Sequence, residues 1–172
     1  MPELIPVLGT DEIKKLVAQV ARRISSDYQD KELILIGILN GAFVFLSDLV
    51  RNLSLSVKLD FIGASSYGSG TCSTGNIRLT KTVAIDITDK DVLVIEDIVD
   101  TGLTLSYIID YLKTHNPKSV KVCALIDKRE RRRKAITIDY VCHVVSGGFL
   151  VGYGLDYNEC YRELPGIYHL KF

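Results

Sequence analysis

Between Val92 and Thr104 the chain passes from strand to helix within one turn, and it carries three carboxylates through that turn. Val92-Leu93-Val94-Ile95 is a short apolar run, mostly β-branched, of the kind that fills a buried strand. Glu96 and Asp97 follow, then Asp100, then Thr101-Gly102-Leu103-Thr104. Leu105, Ile108, Ile109 and Leu112 fall at i, i+3, i+4 and i+7, so a helix begins there. A helix start offers backbone N–H groups to phosphate. Thr101 and Thr104 add hydroxyl donors, and Gly102 lets the backbone approach closely. A plain N-cap turn accounts for the Thr and Gly but not for the carboxylates beside them. Carboxylates do not favour phosphate, so Glu96 and Asp97 serve something else: sugar cis hydroxyls, a proton, or a divalent ion such as Mg²⁺. The stretch points to a phosphorylated, polyhydroxylated ligand. It is not a Walker loop, because G-x-x-x-x-G-K-[ST] is absent.

With 172 residues the chain is expected to form one domain, 1–172, with a single core. Lys+Arg and Asp+Glu are both 21, so the formal net charge is zero. That weighs against wholesale nucleic-acid binding but permits a local basic patch. The four cysteines, at 72, 123, 142 and 160, form no C-x-x-C, so neither a zinc knuckle nor a thioredoxin-like motif is supported. Cys123 and Cys142 sit in apolar runs and read as buried free thiols, which suits a reducing cytoplasm. Met1-Pro2-Glu3-Leu4 lacks the basic and apolar regions of a signal peptide. No apolar run approaches the ~18 residues of a membrane span.

Thr10-Asp11-Glu12 can cap a helix that carries Ile13, Leu16, Val17, Val20 and Ile24 on one face. Leu33 to Ile38 reads as a strand buried on both sides. Asn40-Gly41 then turns into a helix from Phe43 to Val50. Further strands are expected at Val57 to Ala64, within Arg78 to Ile87, at Val120 to Ile126, at Ile136 to Val145 and at Phe149 to Tyr153. Nine of the twelve residues from Ser65 to Asn76 are Gly, Ser or Thr, which predicts a flexible loop. Strands alternating with helices imply an α/β fold with a mostly parallel, doubly wound sheet. Such sheets bind ligands beyond the C-terminal ends of their strands. Asn40-Gly41, Asp97–Thr104 and Asp127-Lys128 all follow strands and are expected to converge there. His115, His143 and His169 show no ligand spacing.

Ile95-Glu96-Asp97-Ile98-Val99-Asp100-Thr101-Gly102-Leu103-Thr104 resembles the phosphoribosyl-pyrophosphate signature of type I phosphoribosyltransferases. Leu39-Asn40-Gly41-Ala42 resembles their pyrophosphate turn, and Ser66-Tyr67 the opening of their lid. Asp127-Lys128-Arg129 and Phe149-Leu150-Val151-Gly152-Tyr153-Gly154-Leu155-Asp156-Tyr157-Asn158-Glu159 resemble the purine site of hypoxanthine(-guanine) phosphoribosyltransferases. Arg162 fits the same pattern. The resemblance runs from about Leu33 to Arg162. It departs at Asn40 and at Leu103, where many members carry Lys; backbone N–H groups can serve at both places.

The resemblance implies helices on both faces of the sheet, a small hood subdomain and a flexible lid. It implies purine salvage: hypoxanthine and/or guanine plus phosphoribosyl pyrophosphate give IMP and/or GMP plus pyrophosphate, with Mg²⁺, in a homodimer or homotetramer. Asp100 is then the general base at purine N7, and Glu96 and Asp97 hold ribose or metal. Asp100, Thr101, Gly102, Leu103 and Thr104 cradle the 5-phosphate, while Asn40, Gly41 and Arg162 hold pyrophosphate. Lys128 meets the purine O6, Phe149 stacks on the ring, and the backbone near Leu150 reads its edge. Ser66 and Tyr67 close the lid, and Asp156 helps bind Mg²⁺. Of the basic run Lys128–Lys134, six cations in seven positions, most residues read as a solvated loop. A xanthine- or adenine-specific relative, and an RNA-binding regulator on this fold using Arg129–Lys134, are the alternatives; zero net charge and the purine-site pattern weigh against the second. A receiver-like α/β switch is disfavoured by the Thr-Gly-Leu-Thr cradle.

Overall fold

Alternation along the apolar runs determines the layers. In the computed structural model, which describes residues 2–66 and 76–172, strand β2 (Leu33–Leu39) and strand β5 (Asp91–Val99) lie side by side and parallel. Successive residues on a strand face opposite sides. Leu33, Leu35, Leu93 and Ile95 join one buried cluster with helices α1 (Thr10–Asp27) and α2 (Phe43–Asn52). Ile34, Ile36, Val92 and Val94 join another, with helix α3 (Leu103–Lys113). Helices therefore cover both faces, as a doubly wound sheet requires. Gly37 permits close packing on the first face, because a β-carbon there would lie 2.5 Å from Leu46 Cδ2 on α2.

The remaining strands are β1 (Glu3–Leu8), β3 (Val57–Ser66), β4 (Ile77–Lys81), β6 (Ser119–Lys128), β7 (Tyr140–Val145), β8 (Leu150–Val151) and β9 (Ile167–Lys171). The main sheet runs β4-β3-β2-β5-β6-β7, parallel except for β4. From β2 the chain crosses through α2 to β3 on one side, and from β5 through α3 to β6 on the other. The order thus reverses between β2 and β5, where such sheets open a ligand crevice. These strands pair only as far as Gly37↔Ile95. Beyond that point β2 continues with β3 to Leu39↔Gly63, and β5 with β6 to Val99↔Asp127.

A second sheet, β1-β9-β8, is antiparallel and provides the small subdomain. Neither β1 nor β9 is expected from sequence. Pro6 lies inside β1 and removes a ladder donor, which only an edge strand tolerates. β1 is an edge strand, and its register shifts between Pro6 and Leu8.

Several expected boundaries move, each for a visible reason. Helix α1 is capped at Gly9, whose N–H donates to Glu12 Oε2 at 2.7 Å, rather than within Thr10-Asp11-Glu12. Strand β3 extends to Ser66, because Ser65 and Ser66 pair with Arg78 and Ile77. Tyr67, expected in the lid, lies outside the described residues. Within Arg78 to Ile87 only β4 is strand: the Asp60 carboxylate accepts N–H bonds from Ala84 (2.6 Å) and Ile85 (3.1 Å), which folds that segment around it. Ile136 to Asp139 stay out of β7, because Asp139 accepts Val122 N–H with its side chain and donates to Val122 O with its backbone. Extended structure stops after Val151, where Gly152, Tyr153 and Gly154 all have positive φ. Among the described residues no helix is long and apolar enough to cross a membrane.

Asp60 also accepts from Phe61 N and Lys81 Nζ. Desolvation alone would raise its pKa, but these bonds outweigh it and lower the value from 3.8 to about 2. A depressed carboxylate pKa stabilises the fold fully above 3.8, and that contribution is lost as pH falls through 2. Asp60→Asn should cost about 2 kcal/mol at pH 7. Urea unfolding at both pH values checks this; the gap between wild type and variant should close near pH 2.

Candidate active site

Separation of β2 from β5 places two turns opposite one another. Asn40-Gly41 leaves β2 after a cis Leu39–Asn40 peptide. A β-carbon on Gly41 would lie 1.7 Å from Asp97 Oδ2, so Asp97 rests directly on this turn. From the other side Gly154, at φ +98°, approaches so closely that a β-carbon would lie 2.2 Å from Gly41 O. Gly154 O accepts from Arg162 Nη1 at 2.7 Å. Arg162 Nη2 then pairs with Asp156 Oδ1 (3.2 Å) and Glu159 Oε2 (3.1 Å). Asn40, Gly41, Asp97, Asp156 and Arg162 are thus brought together from β2, β5 and the segment after β8. Asp156 Oδ2 also accepts from Glu159 N at 2.9 Å, so both of its oxygens have protein partners.

Strand β5 runs four residues beyond Ile95, which carries Glu96 into the sheet rather than leaving it on a solvated strand end. Glu96 is 8% exposed. Burial, followed by the neighbouring charge of Asp97, pushes its carboxyl well above the ordinary range. Burial raises Asp97 too, and the hydrogen bond with Glu96, bonds from backbone N–H groups and the charge of Arg162 offset only part of that. Such a pair is stabilised by a bound cation or by donated hydroxyls. Hard carboxylate oxygens suit Mg²⁺, which uses one or two carboxylates and completes its shell with water and substrate phosphate. Among the described residues no group of three His, Cys, Asp or Glu is arranged to hold a metal ion.

The Thr101–Thr104 turn begins α3. Gly102 is its N-cap at φ +82°, and Leu103 N donates to Thr101 Oγ1 at 3.3 Å. Thr101 O accepts from Arg133 N (2.9 Å) and Lys134 N (3.1 Å), so the basic segment braces the turn from behind. Asp100 Oδ2 lies 3.4 Å from Lys128 Nζ and 3.7 Å from Arg131 Nη1. Asp100 Oδ1 is buried and unpartnered. Lys128, 6% exposed at the end of β6, is therefore an internal cation beside Asp100.

Phe149 is 44% exposed, and its ring stands at 90° to Tyr157 with centroids 5.6 Å apart. Its carbonyl accepts from Leu170 N. Leu150 buries its side chain and pairs with His169 in the second sheet, so only its backbone can face a ligand. Gly148 N donates to Glu130 Oε2 at 3.2 Å, which ties the turn before Phe149 to the segment after Lys128.

Sequence reasoning misses Arg132, and it brings Asp127 to the site without the arginine pairs that hold it. Arg132 donates to Asp100 O, Val99 O, Lys128 O and Asp127 Oδ1. Desolvation would raise the pKa of Asp127, but hydrogen bonds from Arg129 and Arg132 lower it. The solvated-loop expectation therefore fails for Arg132, 21% exposed at its side chain. Within a run of arginines nothing local marks the one that turns inward.

The phosphoribosyl transferase domain family matches residues 8–158. A hypoxanthine-guanine phosphoribosyltransferase of Aquifex aeolicus is 44% identical over 166 residues, covering 96% of this chain and 93% of the relative. The bifunctional protein TilS/HprT of Listeria innocua is 41% identical over 165 residues, and this chain spans 26% of its length. A crystal structure of a hypoxanthine-guanine phosphoribosyltransferase from Bacillus anthracis, with HEPES in its active site, superposes with a TM-score of 0.93. It is 39% identical and covers 100% of both chains.

Gly41→Ala places a methyl group on the Asp97 carboxylate. It should cost about 1–3 kcal/mol, the range for overpacking. Much of that loss should disappear in Gly41→Ala/Asp97→Ala, because the clash is shared by the two positions. Urea unfolding of the four proteins checks the cycle; additive losses would show that the turn, not Asp97, yields.

Proposed function

The chain belongs to the phosphoribosyltransferase family, and within it we propose purine salvage: transfer of ribose 5-phosphate from phosphoribosyl pyrophosphate to hypoxanthine and/or guanine. The observation that carries this reading is the pairing of Lys128 with Asp100, directly before the phosphate turn. It sets an obligate donor beside an acceptor whose second oxygen has no partner. A 6-oxopurine offers the complementary pair, O6 as acceptor and N7–H as donor.

In this reading the purine N9 forms a bond to C1′ as the C1′–O bond to pyrophosphate breaks. Asp100 takes the N7 proton. Lys128 holds O6, Phe149 stacks on the ring, and the backbone at Leu150 orients its edge. Glu96 and Asp97 accept from the ribose hydroxyls, whose donation favours their ionised forms. N–H groups and hydroxyls from Thr101 to Thr104 hold the 5-phosphate. Asn40, Gly41 and Arg162 hold pyrophosphate, the first two through backbone N–H groups. Asp156, Glu96 and Asp97 would hold Mg²⁺, directly or through water, and the ion would supply charge neutralisation at the leaving pyrophosphate.

The internal bonds of Arg132 weigh against Arg129–Lys134 as a free RNA-binding surface. Buried free thiols at Cys123 and Cys142 suit the cytoplasm that this reading implies.

Nucleotide formation with phosphoribosyl pyrophosphate, Mg²⁺ and each purine is the direct test. Hypoxanthine or guanine should exceed adenine in kcat/KM by at least roughly a hundredfold, since an unpaired charged donor against the adenine amino group is costly. Chelation should abolish turnover. Lys128→Gln should narrow the preference, because Gln both donates and accepts. Failure with every purine would sink the reading, and a preference for xanthine would redirect it.

Asp100→Asn keeps the size of the side chain but loses the proton acceptor. Its kcat should fall roughly 10²–10⁴-fold, with little change in KM. Steady-state kinetics with saturating phosphoribosyl pyrophosphate measures both; an unchanged kcat would remove Asp100 from this role.

A further inference from the structure

We propose that Arg132 is a positioning residue that sets the geometry of Asp100 and Lys128 together; this rests on the reading of Asp100 as the general base. Pairing of β5 with β6 ends at Val99↔Asp127. Just past that point the chain needs donors for its carbonyls, because buried backbone groups are almost always paired. Arg132 supplies them. Its Nε donates to Asp100 O at 2.8 Å, and its Nη2 lies 3.0 Å from Val99 O and 3.2 Å from Lys128 O. The same nitrogen meets Asp127 Oδ1 at 2.5 Å, while Arg129 Nε holds Asp127 Oδ2 at 2.9 Å. The guanidinium is a planar fork with fixed donor directions. Anchored on Asp127, it grips the main chain at Val99, Asp100 and Lys128 at once.

Asp100 and Lys128 lie on different strands, and their side chains meet at 3.4 Å. Their relative placement depends on how the ends of β5 and β6 are held. Arg132 spans that gap, and the next two residues, Arg133 and Lys134, hold Thr101 O. Arg132 thus acts through the backbone of Asp100 rather than on the substrate. A misplacement of about 1 Å at a reacting group can cost roughly 10²-fold in rate.

The competing role is phosphate binding, as expected of an arginine near a phosphate turn. Kinetics separate the two. Arg132→Ala and Arg132→Lys are measured in the wild-type and Asp100→Asn backgrounds, with hypoxanthine, phosphoribosyl pyrophosphate and Mg²⁺. Both should lower kcat roughly 10–100-fold, with KM for phosphoribosyl pyrophosphate changed less than about threefold. Lys shares the charge but lacks the fork. On Asp100→Asn neither substitution should lower kcat further, because residues acting as a unit are not additive. Guanidinium at millimolar concentration should restore part of the kcat of Arg132→Ala. If Arg132→Ala does not fold, Arg132→Lys carries the cycle alone.

Additive losses in kcat, or a loss confined to KM for phosphoribosyl pyrophosphate, would overturn the positioning role and leave the purine-salvage reading intact. No turnover by the wild type with any purine would overturn that reading, and this inference with it.

Discussion

Parting of β2 from β5 beyond Gly37↔Ile95 is the constraint on which the site depends. Up to that pair the two strands share a ladder and a continuous core. Past it, each stays bonded only to its outer neighbour, and the gap between them cannot be closed by backbone. The Asp97 carboxylate reaches across it to Gly41 instead. This is why Asn40-Gly41 and Glu96-Asp97 face each other without being neighbours in sequence. The contact of Gly41 with Asp97 on one side and with Gly154 on the other leaves no room for a β-carbon at either glycine, so both turns are held by shape as well as by hydrogen bonds.

Charge is distributed unevenly around this gap. On the β2–β5 side two carboxylates are driven toward neutrality by burial and, at Glu96, by the neighbouring charge. On the β5–β6 side Asp127 is held ionised by two arginines, and Asp100 lies beside Lys128 and Arg131. The first half favours an incoming cation or hydroxyl donors. The second already carries its own compensation and can give up one partner to a substrate without leaving a bare buried charge. Neutral overall composition conceals this division.

Much of the fold was legible because periodicity reports burial directly. Leu33 to Ile38 and Val92 to Ile95 are apolar on both faces, so a covered parallel sheet was the only economical reading. The junction between β5 and α3 was legible because the apolar pattern changes there from a continuous run to i, i+3, i+4, i+7. The second sheet was not. β1 contains Pro6 and is a strand because the two ends of the chain meet, while β9 lies between β1 and the two-residue β8, a pairing no local pattern announces. Boundaries failed where a side chain replaced a ladder bond, at Asp60 and at Asp139. Arg132 failed for a related reason. Its bonds are to main-chain carbonyls at the ends of two strands, and no residue-type pattern encodes where those carbonyls will lie.

The two halves of the proposed ligand draw on different parts of the molecule. In the proposed reading, sugar, phosphate and pyrophosphate contacts would come from Arg162 after β8 and from β2, β5 and the start of α3, which lie where the doubly wound sheet reverses its order. Base contacts would come from the end of β6 and from the segment around Phe149, which the second sheet holds. Phe149 is positioned by a backbone bond from Leu170 and by the edge of Tyr157, not by the main sheet. A change of base preference can therefore arise in the second sheet without disturbing the phosphate turn. The reverse does not hold, because Asp100 belongs to both halves: its backbone leads into the turn, and its side chain meets Lys128. That double membership is what makes the bracing of its main chain by Arg132 matter for base recognition as well as for transfer.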